Sequence, residues 1–122
     1  MKYMLLIYLD EKALSEAERS QCYKESTQLA HQLSANRQFL ATAPLHPTST
    51  ATSVRTRDGK PLVTDGPFAE TREQLGGFFM IDAKDLDEAI SIASRVPAGK
   101  WGTVEIRPVI EVPGLPESPL RQ

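Results

Sequence analysis

The sequence has 122 residues, of which 40% are hydrophobic and 25% are charged, and this size and composition are typical of one soluble globular domain. Its net charge of -2 at pH 7 excludes the basic surface that sequence-independent nucleic-acid binding needs, so we expect no nucleic-acid partner. The single cysteine excludes an internal disulfide and a cysteine-rich zinc site, and no histidine spacing indicates a metal.

The N-terminal residues predict a strand and no membrane segment. Lys2 alone precedes a short apolar run, which is too brief to span a membrane and lacks the small-residue pattern of a signal-peptide cleavage site. We therefore expect a cytoplasmic protein without a membrane partner. Residues 3–8 are apolar or aromatic with no polar alternation, which predicts a central strand covered on both faces.

A long helix is predicted next. Ser15 and Glu18 have the spacing of a capping box, so we expect a helix over residues 15–36. Its apolar stripe would hold the only cysteine, which there acts as a small apolar group and not as a reactive nucleophile. The predicted stripe consists of Cys22, Ser26, Leu29 and Leu33.

A short strand and a hairpin follow the helix. Residues 39–43 predict the strand, which a proline ends. Residues 50–57 and 60–64 flank Asp58-Gly59, a two-residue connection that favours a type I′ hairpin.

The second half of the chain predicts another strand, helix and strand. Residues 77–81 are apolar on both faces and indicate a second central strand. Asp85 has the character of an N-cap, and Pro97 is expected to end the helix that follows it. The last strand covers about 103–109, and Pro108 indicates a sheet edge because it lacks a backbone donor.

This order of elements is β-α-β, an inserted hairpin, then β-α-β, which predicts an α+β, ferredoxin-like split β-α-β fold. Two helices cover one face of such a sheet, yet the two central strands offer apolar side chains to both faces. We therefore expect a homodimer, in which an identical sheet related by two-fold symmetry covers the second face and forms a dimeric α+β barrel.

One segment carries a family resemblance. Residues 64–78 read TDGPFAETREQLGGF, which resembles the signature DGPFAETKEQLGG of the DGPF branch of the YCII-related family. The resemblance extends over nearly the whole chain and places the domain at residues 1–112. Residues 113–122 hold three prolines and a glycine, which predicts an extended or disordered tail. The resemblance also implies the dimeric barrel, and it suggests an aspartate working with a histidine.

The DGPF loop has a structural and a functional interpretation. In the first, Gly66 takes dihedrals closed to other residues, Pro67 opens a helical turn over 69–75, Asp65 caps that turn and Phe68 anchors it in the core. In the second, Asp65 points into the cleft between the sheets and acts as a general acid or base, with Gly66, Pro67 and Phe68 shaping a ligand site.

The histidines are the candidate partners for this aspartate. His46 lies in the loop after the second strand, where an imidazole titrates near neutral pH, and it is the candidate catalytic partner. His31 is expected on the solvent side of the first helix. The histidine that the resemblance implies on the first half of that helix is missing here, which weakens an Asp-His pair.

Three further residues are candidates for binding an anionic ligand. Glu105 and Arg107 share a strand face, and Arg55 lies on the hairpin, so either guanidinium would clamp a carboxylate or phosphate. The alternative is an ion pair on an edge strand and a solvated hairpin.

Two classes of function follow from these residues. The first is a small enzyme without a cofactor, which acts on an organic metabolite with Asp65 as acid or base. The second is a metabolite-binding or regulatory accessory protein, which the resemblance links to alternative sigma factors. A purely structural dimer module is a third interpretation. The motifs of serine hydrolases, P-loop enzymes and Rossmann dehydrogenases are missing from the sequence.

Overall fold

The computed structural model describes residues 1–116 of the chain. Its two α-helices and six strands follow one another in the order that the sequence pattern predicts. In chain order they are β1 (Lys2–Leu9), α1 (Glu16–Ala35), β2 (Phe39–Pro44), β3 (Thr52–Arg57), β4 (Lys60–Asp65), β5 (Gln74–Asp82), α2 (Leu86–Ala93) and β6 (Gly102–Pro108).

Four strands form one antiparallel sheet in the order β2-β5-β1-β6, and β3 and β4 form a separate hairpin. The two strands predicted to be central, β1 and β5, lie in the middle, and β6 lies at an edge as its proline indicates. The α+β, ferredoxin-like fold is therefore confirmed.

The two faces of this sheet have different surroundings. Side chains alternate between faces along a strand, so Tyr3, Leu5 and Ile7 of β1 are buried together with Phe79 and Ile81 of β5. These residues form the core, where both helices contribute further apolar side chains. The opposite face, which we call the open face, has half-buried apolar residues along its middle strands: Met4, Leu6, Phe78 and Met80.

Local signals in the sequence produce the caps and the hairpin turn. Ser15 accepts a hydrogen bond from the backbone of Glu18 at 3.1 Å, and the Glu18 carboxylate accepts one from the backbone of Ser15 at 2.9 Å. Asp58 and Gly59 have φ angles of 50° and 76°, as a type I′ turn requires. The predicted capping box and hairpin turn are both confirmed.

The second helix is shorter than predicted. It ends at Ala93, and the chain continues through bonds from Arg95 to Ile92 and from Val96 to Ala93, which are tighter than those of an α-helix. Val96 takes an extended conformation with ψ of 119° because the following proline disfavours helical geometry at that residue. The α-helix thus ends at Ala93, before the chain reaches Pro97.

The structural interpretation of the DGPF loop is wrong in two respects. Residues 69–73 form bends and irregular backbone instead of a helical turn, and β5 already begins at Gln74. Phe68 is 83% exposed and does not anchor the core. Gly66 has a φ of 104°, which agrees with the prediction that this residue takes a conformation closed to others.

The C-terminal part of the chain leaves the sheet after Pro108. The first four residues of the predicted tail, 113–116, are exposed and include a turn, while 117–122 lie outside the described residues. Within the described part of the chain, neither helix has both the length and the apolar character that crossing a membrane needs.

Candidate functional site

Two open cavities meet at His46, beyond the end of β1. The first, which we call the sheet-side cavity, has a volume of about 630 Å³ and extends onto the open face. Tyr8 and Leu75 of the sheet, His46 of the loop after β2, and Pro67 and Phe68 of the DGPF loop line it. The structure thus brings His46 and half of the DGPF motif to one place.

The second cavity, which we call the charged cavity, has a volume of about 400 Å³ and lies beside the start of α1. Its lining includes four charged residues and a histidine. These are Asp10, Glu11, Glu16, Arg19 and His46. His46 therefore reaches both cavities, which suits a group that exchanges a proton with a bound ligand.

Hydrogen bonds hold the loop of His46 against the segment between β1 and α1. The Glu11 carboxylate accepts a bond from the backbone of Thr48 at 2.8 Å, and its other oxygen accepts one from the Thr48 hydroxyl. On the other side of the histidine, the backbone of Leu45 donates to Gly76 of β5 at 2.9 Å. His46 is thus fixed on both sides by bonds that span distant parts of the sequence.

The DGPF loop is fixed to the hairpin by its glycine. The backbone of Gly66 donates to Ala51 at 2.7 Å, and its carbonyl accepts a bond from the Ser53 hydroxyl at 2.8 Å. Asp65, the last residue of β4, pairs with Thr52 and is exposed. It lies outside the described residues that line the two cavities, although Pro67 and Phe68 only two and three positions further on are among them.

The predicted anion-binding residues lie in two separate places. Glu105 and Arg107 are on the open face, where their side chains approach within 3.8 Å and form an ion pair, as the alternative interpretation predicts. Arg55 is exposed on the hairpin opposite Leu62 and lies outside the described residues that line either cavity. The structure therefore does not join Arg55 to the other two.

Tyr8 connects this ion pair to the sheet-side cavity. Its position in register with Thr103 places it on the same face as Glu105 and Arg107. Partial burial raises the pKa of the Tyr8 phenol, a hydrogen bond to Glu105 and the charge of that carboxylate raise it further, and Arg107 opposes them. The phenol thus stays protonated at neutral pH beside a cavity that His46 also lines.

Replacing Glu105 by glutamine is expected to lower the pKa of Tyr8, because the charged acceptor that favours the neutral phenol is removed. Since the folded-state pKa lies above the ordinary value of 10.0, the stability that this phenol contributes is present below that pH and is lost as the pH rises through the folded value. Ultraviolet titration of the phenolate measures the pKa, and urea unfolding at a series of pH values measures the change in stability. Arg107→Gln should move the pKa upward, and a downward shift there would contradict this account.

Sequence reasoning missed Tyr8, Glu11 and Arg19 as residues of the site. Tyr8 belongs to an apolar strand, so its pattern indicates packing and hides the hydroxyl at the strand end. Arg19 is half-buried and donates to the backbone carbonyl of Glu11 at 3.2 Å, a contact between positions eight residues apart. The clearest available signal was the charged pair Asp10-Glu11 directly after a buried strand.

The chemistry available here is that of titratable side chains and hydrogen bonds. Among the described residues, no group of three or more histidine, cysteine, aspartate or glutamate side chains is arranged to hold a metal ion. Cys22 lines the charged cavity but is buried, and that burial raises the pKa of its thiol, which Glu25 raises further. A thiol in this state is a poor nucleophile.

Comparison with known proteins identifies the family. Residues 1–113 match the model of the YCII-related domain. An uncharacterized protein of Rhizobium meliloti (strain 1021) is 36% identical over 118 residues, which span 89% of this chain and 92% of that protein.

A solved structure has a similar fold. It is the 5-chloro-2-hydroxyhydroquinone dehydrochlorinase of Burkholderia phenoliruptrix AC1100 in complex with 2,5-dihydroxybenzoquinone, with a TM-score of 0.58 over 92% of this chain and 96% of the other. The identity is 15%, so this likeness concerns the fold alone. Because the domain model covers nearly the whole sequence and the Rhizobium relative aligns along most of both chains, the protein belongs to the YCII-related domain family.

Proposed function

We propose that this protein is a small enzyme without a cofactor, which acts on an organic metabolite bound where the two cavities meet. The observation that carries the proposal is the position of His46, which lines both cavities while Pro67 and Phe68 of the DGPF motif line one of them. An imidazole with one side toward each cavity accepts a proton from one group and passes it to another.

Asp65 is the second acid or base in this proposal. It lies at the end of β4, and Gly66 ties the start of the following loop to Ala51. In the free chain its carboxylate is exposed. Approach to a bound ligand, together with removal of water, would give it the environment in which a carboxylate exchanges protons near neutral pH.

We also propose that a second copy of the chain completes the site. The open face presents half-buried apolar residues in its middle strands, and Phe68 and Leu75 beside it are 83% and 40% exposed. Contact with an identical sheet would cover this apolar surface and enclose the sheet-side cavity. We therefore propose a cytoplasmic homodimer of the DGPF branch, forming the dimeric α+β barrel. Light scattering should give twice the chain mass of 13.5 kDa.

The structural neighbour supports a small-molecule enzyme on this fold. The dehydrochlorinase is an enzyme whose solved complex holds one substituted ring, 2,5-dihydroxybenzoquinone. A compound of that size fits the sheet-side cavity of about 630 Å³. Glu105 and Arg107, which share the open face with Tyr8, would orient a polar substituent of the ligand.

One observation favours a second function, that of a regulatory protein that binds a metabolite. Asp65 is exposed and lies outside the described linings of the two cavities, so it lacks the burial that tunes a catalytic carboxylate. In a sensor the same cavities hold the ligand, and the exposed DGPF loop contacts a protein partner, such as an alternative sigma factor.

A thermal-shift screen of a metabolite panel separates these functions. A ligand at about 100 times its dissociation constant adds about 2.7 kcal/mol to the stability of the wild type, a rise in Tm of roughly 10 °C. His46→Ala is expected to reduce this rise. For an enzyme, Asp65→Asn retains the rise but loses turnover of the compound. For a sensor, Asp65→Asn reduces the rise and the wild type shows no turnover.

Asp58→Asn and Asp87→Asn are the matched controls, because both residues are exposed and lie outside the two cavities. They should keep the full ligand-induced rise. If His46→Ala also keeps it for every compound that binds, the ligand occupies another part of the protein and the proposed site is wrong.

A further inference from the structure

We propose that the helix-side face of the sheet carries a second binding site, which takes an uncharged compound of one ring. The site is a cavity of about 240 Å³ between α1, β2 and β5, and we call it the helix-side cavity. It lies on the face opposite to Tyr8, Glu105 and Arg107. It adjoins the charged cavity, with which it shares Leu9, Cys22, Tyr23 and Gly76. His46 is not among its described lining residues, so the inference does not depend on the function proposed for His46.

Small side chains create the space. Ala30 and Ser26 face it from α1, Ala98 from the turn before β6, and Gly76 and Gly77 from β5. Protein interiors are normally packed to the density of organic crystals, and an apolar void reduces stability in proportion to its volume. The sheet itself is tightly joined here, since the Thr42 hydroxyl donates to Phe78 at 2.8 Å. The cavity thus lies where the helix meets a firmly bonded sheet.

The lining determines the charge of the ligand. Among the described residues, no aspartate, glutamate, lysine or arginine lines the helix-side cavity, whereas four such residues line the charged cavity. Ile7, Leu9 and Phe79 form its apolar floor. Moving an unpaired charge into such a lining is unfavourable, so the site selects a neutral molecule.

The volume and the mouth determine the size and the polar group. An apolar cavity of about 150 Å³ lined by aliphatic and aromatic side chains binds benzene, so 240 Å³ holds one substituted ring. Tyr23, Thr27 and His31 of α1 are exposed and lie at the rim. Their polar groups provide hydrogen bonds to a single hydroxyl or amide of the ligand at the mouth.

Phenol and benzoate provide the test, since they share a ring and differ in charge at neutral pH. We expect phenol at millimolar concentration to shift the nuclear magnetic resonance signals of Ile7 and Phe79 in a saturable manner, and benzoate to leave them unchanged. Ala30→Leu fills the cavity and should weaken phenol binding about tenfold or more, because even one additional methylene in an apolar pocket has an effect of that size.

Two comparisons locate the binding. Ala17→Leu adds the same side chain at an exposed position of α1, and it should leave phenol binding unchanged. Ser26→Leu fills the cavity from a second position and replaces Ala30→Leu if that variant does not fold. His46→Ala separates this site from the proposed active site, since it should retain phenol binding.

Three results would overturn the inference. They are the absence of a saturable shift with phenol, equal binding of phenol and benzoate, and full retention of phenol binding in the cavity-filling variants that fold.

Discussion

Replacing Gly102 with alanine is expected to destabilise the protein more than any other single methyl group added to the sheet. A Cβ at this position falls on the carbonyl oxygen of Tyr8, far inside van der Waals contact, and lies 3.0 Å from the Tyr8 carbonyl carbon. Both atoms belong to the backbone of a central strand, so no side chain is able to move aside. We expect a loss of about 3 kcal/mol in the free energy of unfolding.

Urea unfolding measures this loss through the midpoint of the transition. Gly99→Ala is the matched control, because its Cβ meets only the end of the Val104 side chain at 3.7 Å, an ordinary contact distance. That variant should stay within about 0.5 kcal/mol of the wild type. Equal stability of the two variants would show that β1 and β6 are not as close as their register indicates.

A second effect is expected at the site, because Gly102 lies against Tyr8, which lines the sheet-side cavity and lies on the open face. The Glu105 carboxylate raises the pKa of the Tyr8 phenol. Pushing the Tyr8 backbone away changes the distance between these two groups, so the pKa of the phenol should change. Although Gly102→Ala adds only one methyl group, it is therefore expected to alter the site. A phenolate titration on any folded Gly102→Ala protein measures this displacement.

Phe79→Ala is expected to cost about 3 to 5 kcal/mol of stability, close to the whole stability of many domains of this size. Phe79 is 1% exposed and is among the largest fully buried side chains of the described core, with Leu5 and Leu33. Truncation removes its packing within the core, to which both helices contribute, and leaves a cavity, since the antiparallel bonds of β5 to its neighbours prevent collapse.

Phe68→Ala provides the comparison within the same residue type. Phe68 is 83% exposed, so its removal should change the free energy of unfolding by less than about 0.5 kcal/mol under conditions where the chain is monomeric. Circular dichroism during thermal unfolding distinguishes the two variants. A large loss of stability in Phe68→Ala at low protein concentration would mean that the side chain packs inside one chain.

The contrast between these two phenylalanines clarifies the DGPF motif. Its aromatic residue is not a part of the core, and it lines the sheet-side cavity with Pro67 and Tyr8. An exposed aromatic side chain beside a cavity is typical of a surface that contacts a ligand or another chain. This supports the proposal that the motif serves the site and the dimer instead of folding of the single chain.

Much of the fold could be predicted because its signals are local. The capping box at Ser15 and the Asp58-Gly59 turn depend on residues within three positions of one another. The apolar runs of β1 and β5 each lie within one strand and indicate that the strand is covered on both faces. Their central positions and the ferredoxin-like order therefore follow from the sequence. Recognition of the family had the same source, a short contiguous motif.

The site could be predicted only in part, because its residues meet through long-range contacts. His46 and Phe68 were identified as candidates, yet their common cavity depends on bonds such as Leu45 to Gly76 and Thr48 to Glu11. Arg55 shares the residue type of Arg107 but lies on a separate sheet. Which polar residues converge is decided by strand register and by long-range hydrogen bonds between loops, and neither is encoded by spacing along the chain.

The sequence by itself determined the element types, the turn of the hairpin, the central strands and the family, since each depends on backbone preferences or periodicity within a few residues. The tertiary structure decided where Phe68 points, that residues 69–73 form no helical turn, and that Tyr8, His46 and Phe68 surround one cavity. The physical reason is that a side chain's burial is set by what the rest of the chain places against it, and for Phe68 one copy of the chain places almost nothing there.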